Sequence, residues 1–310
     1  MKNILAILLL ALSVTALRAQ GGNSLFRTDE TFFRTPEASR VGSQLLLWQR
    51  DTGGWPKNVD MSVPLTDGDK ARLLEDKSLR DDSTIDNRAT TSQLCYLARL
   101  YSATGEKAWR DSFRKGLEFL LDGQYECGGW PQFWPEHRAK YAGHVTFNDG
   151  AMGNVMEVLR GVYRREAPFN SRGLVSGSLR RRARKAFEKG VECILDCQIV
   201  VDGKPTVWCQ QHDENTLEPA PARSFEPAAF CSAESAQLVE ILMSVEKPSQ
   251  RVKDAVNGAM AWFDANKIIG YEYVREKGDT FLRPHPDTKP LWARFYDFEE
   301  CSPFVCGRDG

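Results

Sequence analysis

The sequence predicts a mainly α fold, an α/α toroid: an incomplete barrel of repeated helix hairpins whose long loops line one active-site mouth. Three observations carry this prediction. A helix that ends in glutamine and runs into a tryptophan loop recurs along the chain. Apolar residues between the loops keep a 3.6-residue period. Little of the remainder reads as strand.

"SQLLLWQRDTGGWP" (Ser43 to Pro56) and "LEFLLDGQYECGGWP" (Leu117 to Pro131) each set a glutamine six residues before a tryptophan, Gln49 before Trp55 and Gln124 before Trp130. A third copy, "VECILDCQIVVDGKPTVWCQQ", has Gln198 and Trp208 with a slightly longer loop. A degenerate fourth, "AMAWFDANKIIGYEY", puts Asn266 in the glutamine position, so the intervals are 75, 74 and 68 residues. After each loop comes an apolar stripe at helical spacing. Leu94, Leu97, Ala98 and Tyr101 follow Asp86; Met152, Val155, Met156, Leu159 and Val162 follow Asp149; Leu238, Ile241, Leu242 and Val245 follow Glu226. The connecting helices, such as "RDSFRKGLEFLLDGQ" and "RRARKAFEKGVECILDCQ", are amphipathic with polar outer faces. Antiparallel helix pairs repeated in this way suggest inner helices forming a ring, with the recurring loop capping equivalent pairs around one opening.

The chain opens "MKNILAILLLALSVTALRAQ": one lysine, an apolar run from Ile4 to Leu12, then small residues to Ala19. That pattern reads as a signal peptide over residues 1–19, too short in its apolar run to span a bilayer. The mature chain, 20–310, is long enough for one large domain with a sizeable core, and no later stretch would cross a membrane. It is expected to be secreted or periplasmic, and a monomer. A formal net charge of −1 without basic tracts argues against nucleic acid or an anionic membrane as partner. The eight cysteines include no CxxC pair; Cys95, Cys193 and Cys197 read as buried thiols, whereas Cys301 and Cys306 could bridge across a short loop.

Asp86, Asp149 and Glu226 each stand where an inner helix begins. One at a time, capping and the helix dipole explain an acid there. Around a ring they would share a cleft, and carboxylates with neighbouring amides (Asn87, Asn148) suit a hard cation such as calcium. Histidines are few, without HExxH or a paired motif, so zinc is disfavoured; a phosphate loop and a GxSxG elbow are absent. Arg223 stands in a proline-rich loop, Arg294 beside aromatics and Arg308 in a glycine turn. Each could be a surface ion pair, or the three together could grip substrate carboxylates in bidentate fashion. Trp130 and Trp134 are equally consistent with packing anchors and with a sugar-stacking platform; for Trp55, packing is favoured.

The set "GGWPKN", "TIDNRATTSQ", "GGWPQFWP", "HVTFNDGAMGNVMEVLR", "PARSFEPAAFCSAES" and "LWARFYD…PFVCGRDG" resembles the family 10 polysaccharide lyases, the pectate lyases, from about Gly53 to the last residue. The resemblance implies calcium-dependent cleavage of α-1,4-polygalacturonate by anti β-elimination. It places metal-site aspartates on Asp86 and Asp149, the catalytic arginine on Arg223, and substrate-gripping arginines on Arg294 and Arg308. Asn87 and Lys57 are neighbouring motif positions carried over as substrate-binding, with Trp130 as the stacking candidate. Removal of H5 would leave charge on the adjacent carboxylate, which a cation and arginines would stabilise. Arg223 would either act as the base itself or stay charged and hold hydroxide. The chain ends two residues after Arg308, where family members usually continue, so a shortened C-terminus is one reading of the 20–310 catalytic domain. The rivals are an inactive pectin-binding remnant and a toroid glycoside hydrolase using Asp86 and Asp149 as acid and base.

Overall fold

The computed structural model describes residues 24–309. The signal peptide expected over residues 1–19 lies outside them. The architecture is mainly helical, as the apolar periodicity requires. The chain, expected from its sequence to form one catalytic domain over 20–310, divides into two compact units, Met1–Cys193 and Ile194–Gly310.

In the first unit, α1 (Pro36–Trp48), α2 (Asp67–Glu75), α3 (Thr91–Thr104), α4 (Lys107–Asp122), α5 (Ala151–Arg164) and α6 (Gly177–Asp196, to Cys193 in this unit) follow in order. Helix α3 packs against α1, α4 and α5, and its stripe residues Leu94, Leu97 and Ala98 are fully buried. Thr35 caps α1 through its hydroxyl, with Pro36 in the first turn. Thr66 and Asp69 form a reciprocal capping box on α2. In the second unit, α7 (Ser232–Met243) packs against α8 (Gln250–Ala265). The strands there are short: β1 (Val200–Val201) and β2 (Lys204–Pro205) pair antiparallel, as do β4 (Tyr271–Glu276) and β5 (Asp279–Pro284). β3 (Phe230–Cys231), β6 (Phe295–Tyr296) and β7 (Pro303–Phe304) form a three-stranded sheet in that order.

The repeat has a mechanical explanation. The last carbonyls of a helix lack intrahelical partners, and the loop tryptophans donate into this last turn, where Leu45 O accepts the Gln49 backbone N–H as well. The indole N–H of Trp55 donates to Leu45 O (2.8 Å), that of Trp130 to Leu120 O (2.6 Å) and that of Trp208 to Ile194 O (2.6 Å). The glutamine ties the loop to the next outer helix. Gln49 donates to the carbonyls of Gly53 and Ser112, Gln124 to those of Gly128 and Ala186, and Gln198 to those of Thr206 and Ala255. The paired glycines follow from the same docking. Gly53 and Gly128 hold φ of +100° and +95°, and a Cβ there would lie 2.5 Å from Lys115 O and 2.3 Å from Lys189 O. On the helix that receives each loop, Gly116 leaves room for Trp55 and Gly190 for Trp130.

The fourth copy is longer than its sequence suggests. Trp292 donates its indole N–H to Phe263 O at 2.8 Å, in the last turn of α8, and is the fourth loop tryptophan. The β4–β5 hairpin is inserted between Asn266 and this residue, which hides the relation in sequence. No disulfide joins any of the eight cysteines; Cys193 and Cys197 are buried as expected, and the bridge considered between Cys301 and Cys306 is not formed.

Candidate active site

The first unit carries the acidic positions. Asp86 and Asp149 do not start α-helices. Each lies in a one-turn 3₁₀ segment, Asp86–Arg88 ahead of α3 and Asn148–Gly150 ahead of α5. Left-handed residues kink both segments, Asn87 at φ 50° and Asp149 at φ 52°, a conformation that asparagine and aspartate tolerate better than most. The two turns are neighbours, with Cα atoms within 8 Å. The segment leading to Asp86 is stitched on both sides by repeat loops, through bridges from Thr84 to Trp55 and to Phe133.

Asp86 is 2 % exposed. Its Oδ2 accepts from the Lys57 ammonium and from Gln132 Nε2 (2.8 Å), and its Oδ1 accepts from the Asn87 backbone N–H (2.9 Å). Lys57 in turn lies 5.3 Å from the centre of the Phe133 ring. The Asn87 side chain donates to Asn58 Oδ1 at 2.9 Å. Lys57, Asn58 and Asn87 line an open cleft of ≈ 350 Å³. Asp149 is exposed while Asn148 beside it is buried. The side chains of Asp86, Asn87, Asn148 and Asp149 on these turns carry oxygen donors of the kind a hard divalent cation takes, and a cation on Asp86 would have to displace or share the Lys57 ammonium.

Trp130 is not a sugar platform. Its ring is 1 % exposed and its N–H is committed to the α4 carbonyl, so no pyranose can lie on its face. Trp134 is half-buried. Gln132, which sequence reasoning passed over, is the partner that does reach Asp86. The repeat could have shown it: Gln132 and Lys57 both stand two residues after a loop tryptophan, and both donate to the same carboxylate oxygen.

The second unit holds the arginines and brings all three together. Glu226 does not begin a helix as expected; α7 starts at Ser232, and Glu226 lies in the preceding loop. Its side chain is 1 % exposed and receives Arg223 Nε at 2.8 Å and Nη2 at 2.5 Å. Burial pushes the Glu226 carboxyl up, but the Arg223 hydrogen bonds and charge, with Arg294 nearby, outweigh it and hold the group below the usual carboxylate range. Arg294 Nη2 stands 3.9 Å from both Glu226 and Glu234. Glu234, a buried acid in the first turn of α7, was also missed in the sequence. The Arg223 and Arg308 guanidinium carbons lie 4.5 and 6.0 Å from the centre of the Phe225 ring. Ser224 Oγ donates to Arg308 O at 3.2 Å, which ties the C-terminal turn to this loop. Strand pairing of β3 with β6 fixes Arg294, whose carbonyl accepts from Ser232 N at 3.2 Å.

Comparison with known proteins identifies the family. The pectic acid lyase family matches residues 49–310. Two solved structures are similar over 90 % of this chain and 84 % of theirs, each at 31 % identity. One is a family 10 polysaccharide lyase from Cellvibrio cellulosa (TM-score 0.77), and the other is an aspartate-to-alanine mutant of such an enzyme in complex with trigalacturonic acid (TM-score 0.79). No curated protein matches the sequence. Repeat architecture, motifs and these likenesses define a polysaccharide lyase. Within that class, the chain belongs to the pectic acid lyase family, the family 10 polysaccharide lyases.

Proposed function

We propose that this chain is a calcium-dependent pectate lyase that cleaves α-1,4-polygalacturonate by anti β-elimination and releases unsaturated oligogalacturonates. The observation that carries the reading is the gathering of Arg223, Arg294 and Arg308 around one buried glutamate and one aromatic ring. Three guanidinium groups so placed suit a polyanionic sugar, because each can form paired hydrogen bonds to a carboxylate.

In this reading Arg294 and Arg308 bind galacturonate carboxylates and orient the ring. Arg223 faces C5, where the proton leaves, either as the base or as a charged group holding hydroxide. Its bidentate pairing with Glu226 supports the second form, since a carboxylate favours the charged guanidinium and fixes its plane. Asp86 and Asp149 would hold calcium, with Lys57 and Asn87 as further substrate contacts. Calcium, when bound, supplies positive charge against the enolate-like carboxylate. The glycoside hydrolase alternative loses ground at Asp86, whose two carboxylate oxygens are already engaged by three donors and which is 2 % exposed, a poor position from which to reach a glycosidic oxygen. In this reading the leader expected over residues 1–19 carries the enzyme out of the cytoplasm; no helix among the described residues is long and apolar enough to cross a membrane.

Incubation with polygalacturonate, with and without chelator, tests the proposal through the ultraviolet absorbance of the unsaturated product. Absorbance that rises with calcium and stops with chelator is expected. Reducing ends without absorbance would mean hydrolysis, and binding without either would mean an inactive pectin-binding protein.

A further inference from the structure

Six residues separate glutamine from tryptophan in the first two repeats, ten in the third and twenty-six between Asn266 and Trp292. The excess in the fourth is the β4–β5 hairpin, closed by Lys277 and Gly278, both with positive φ (53° and 90°), as in a two-residue type I′ turn. The register pairs Tyr271 with Pro284, Tyr273 with Leu282 and Arg275 with Thr280, alternating with Glu272–Arg283, Val274–Phe281 and Glu276–Asp279. Directly opposed residues share a face, so the hairpin has two chemically different sides.

One side is internally neutralised. Arg283 pairs with Glu272 (3.5 Å) and Glu276 (2.5 Å) and lies over the Phe281 ring at 5.6 Å. The other side carries Tyr271, Tyr273, Leu282 and Arg275 with no acid at all. Its apolar members are exposed: Tyr273 at 66 %, Leu282 at 46 % and Tyr271 at 41 %. Arg275 makes no ion pair among the described residues. Two tyrosines at alternate strand positions stand about 6.6–6.8 Å apart. Exposed aromatic rings in such a row, beside a cation and on the face opposite the acids of the paired strands, offer stacking surface to pyranose C–H faces and a partner for a uronate carboxylate.

We infer that the tyrosine face of the β4–β5 hairpin is an auxiliary binding platform for acidic polysaccharide, engaging sugar residues of the chain other than those undergoing cleavage. The inference rests on the pectate lyase reading, which supplies the polyanionic ligand. Charge segregation selects that ligand over a neutral glycan: all three acids of the paired strands lie on the opposite face, two of them held by Arg283.

The test compares the wild-type enzyme with Tyr271→Ser/Tyr273→Ser, with Arg275→Ser, and with Asp279→Ser on the other face as control. Each is run through gels containing polygalacturonate and assayed on both polygalacturonate and trigalacturonate, with circular dichroism to confirm folding. The double variant should lose retardation, and its ratio of polymer to trimer efficiency should fall about tenfold, equivalent to ~1.4 kcal/mol. Arg275→Ser should shift both measures in the same direction, and Asp279→Ser neither. Unchanged retardation and ratio in the folded double variant would overturn the proposal while leaving the lyase reading standing. A wild type that neither binds nor cleaves polygalacturonate would overturn both. Conversion of a dimer to a monomer by the double variant, without change in retardation, would assign the face to a second copy of the chain and overturn the platform.

Discussion

Replacing Trp130 by phenylalanine separates the two roles that a loop tryptophan can have in a sugar-processing enzyme. The indole is 1 % exposed, and its N–H satisfies Leu120 O at 2.6 Å in the last turn of α4. Phenylalanine keeps an aromatic ring but strands that buried acceptor, at a cost of about 1–3 kcal/mol. The smaller ring also leaves a void of some 40 Å³, worth about 1 kcal/mol at ~24 cal/mol per Å³. Together these predict a loss of about 2–4 kcal/mol and a fall in the thermal midpoint of about 5–15 °C. Thermal unfolding of wild type and variant should show that fall, while kinetics on polygalacturonate well below both midpoints should agree within about twofold. Trp292→Phe, at a half-buried copy of the same bond, should cost less. An unchanged midpoint with a large loss of trigalacturonate affinity would refute the reasoning and restore Trp130 as a stacking surface.

Asp149→Asn should abolish the calcium response in titration calorimetry with near-wild-type circular dichroism, because asparagine keeps the left-handed turn at φ 52° and removes only the charge; unaltered calcium affinity would remove Asp149 from the metal site. Arg294→Lys and Arg308→Lys should each lower kcat/KM about tenfold despite keeping the charge, since the bidentate fork is lost (~1.4 kcal/mol), and unchanged kinetics in both would make them surface ion pairs. Glu226→Gln should destabilise by about 1–2 kcal/mol at neutral pH, below the usual figure for a broken buried pair because Arg223 is 48 % exposed and solvent screens it. With the folded pKa of Glu226 held below the ordinary glutamate value of 4.5, the wild-type advantage is fully present above that pH and disappears as pH falls through the lowered folded value, which chemical denaturation across pH would show. Arg223→Ala should remove turnover but spare calcium and oligogalacturonate binding, and the wild-type rate should rise into the alkaline range; an optimum near pH 5, as for a two-carboxylate hydrolase, would exclude this mechanism.

The helical scaffold was legible because its docking chemistry is written in unusual residues. Gln49, Gln124 and Gln198 recur since each must reach two carbonyls, and the glycines recur since a neighbouring helix leaves no room for Cβ. The fourth copy was only half legible, because the inserted hairpin moved Trp292 beyond any constant period. At the site, the sequence singles out Arg223, Arg294 and Arg308 but not what gathers them; the structure sets Glu226, Glu234 and Phe225 among them. The role of Trp130 could not be settled by composition: glycine, proline and tryptophan together describe a buried anchor and an exposed platform equally well. An acid before an apolar stripe usually marks a helix start, but at Glu226 strand β3 intervenes, and the acid is left in a loop where it can hold Arg223.

In the first three copies the glutamine and the tryptophan fix both ends of the loop to helices, and in the fourth Trp292 still does so at its far end, so the chain between is free to vary without disturbing the anchors. Closing a loop of twenty-six residues rather than six costs only about 1.3 kcal/mol more in chain entropy, because the cost grows with the logarithm of length. Natural variation can therefore try new surfaces at these four positions while the helices stay as they are, and the fourth already shows such a trial retained. The same positions are where foreign recognition loops could be grafted, with the six-residue copies at Gln49–Trp55 and Gln124–Trp130 marking the shortest span that still reaches both anchors.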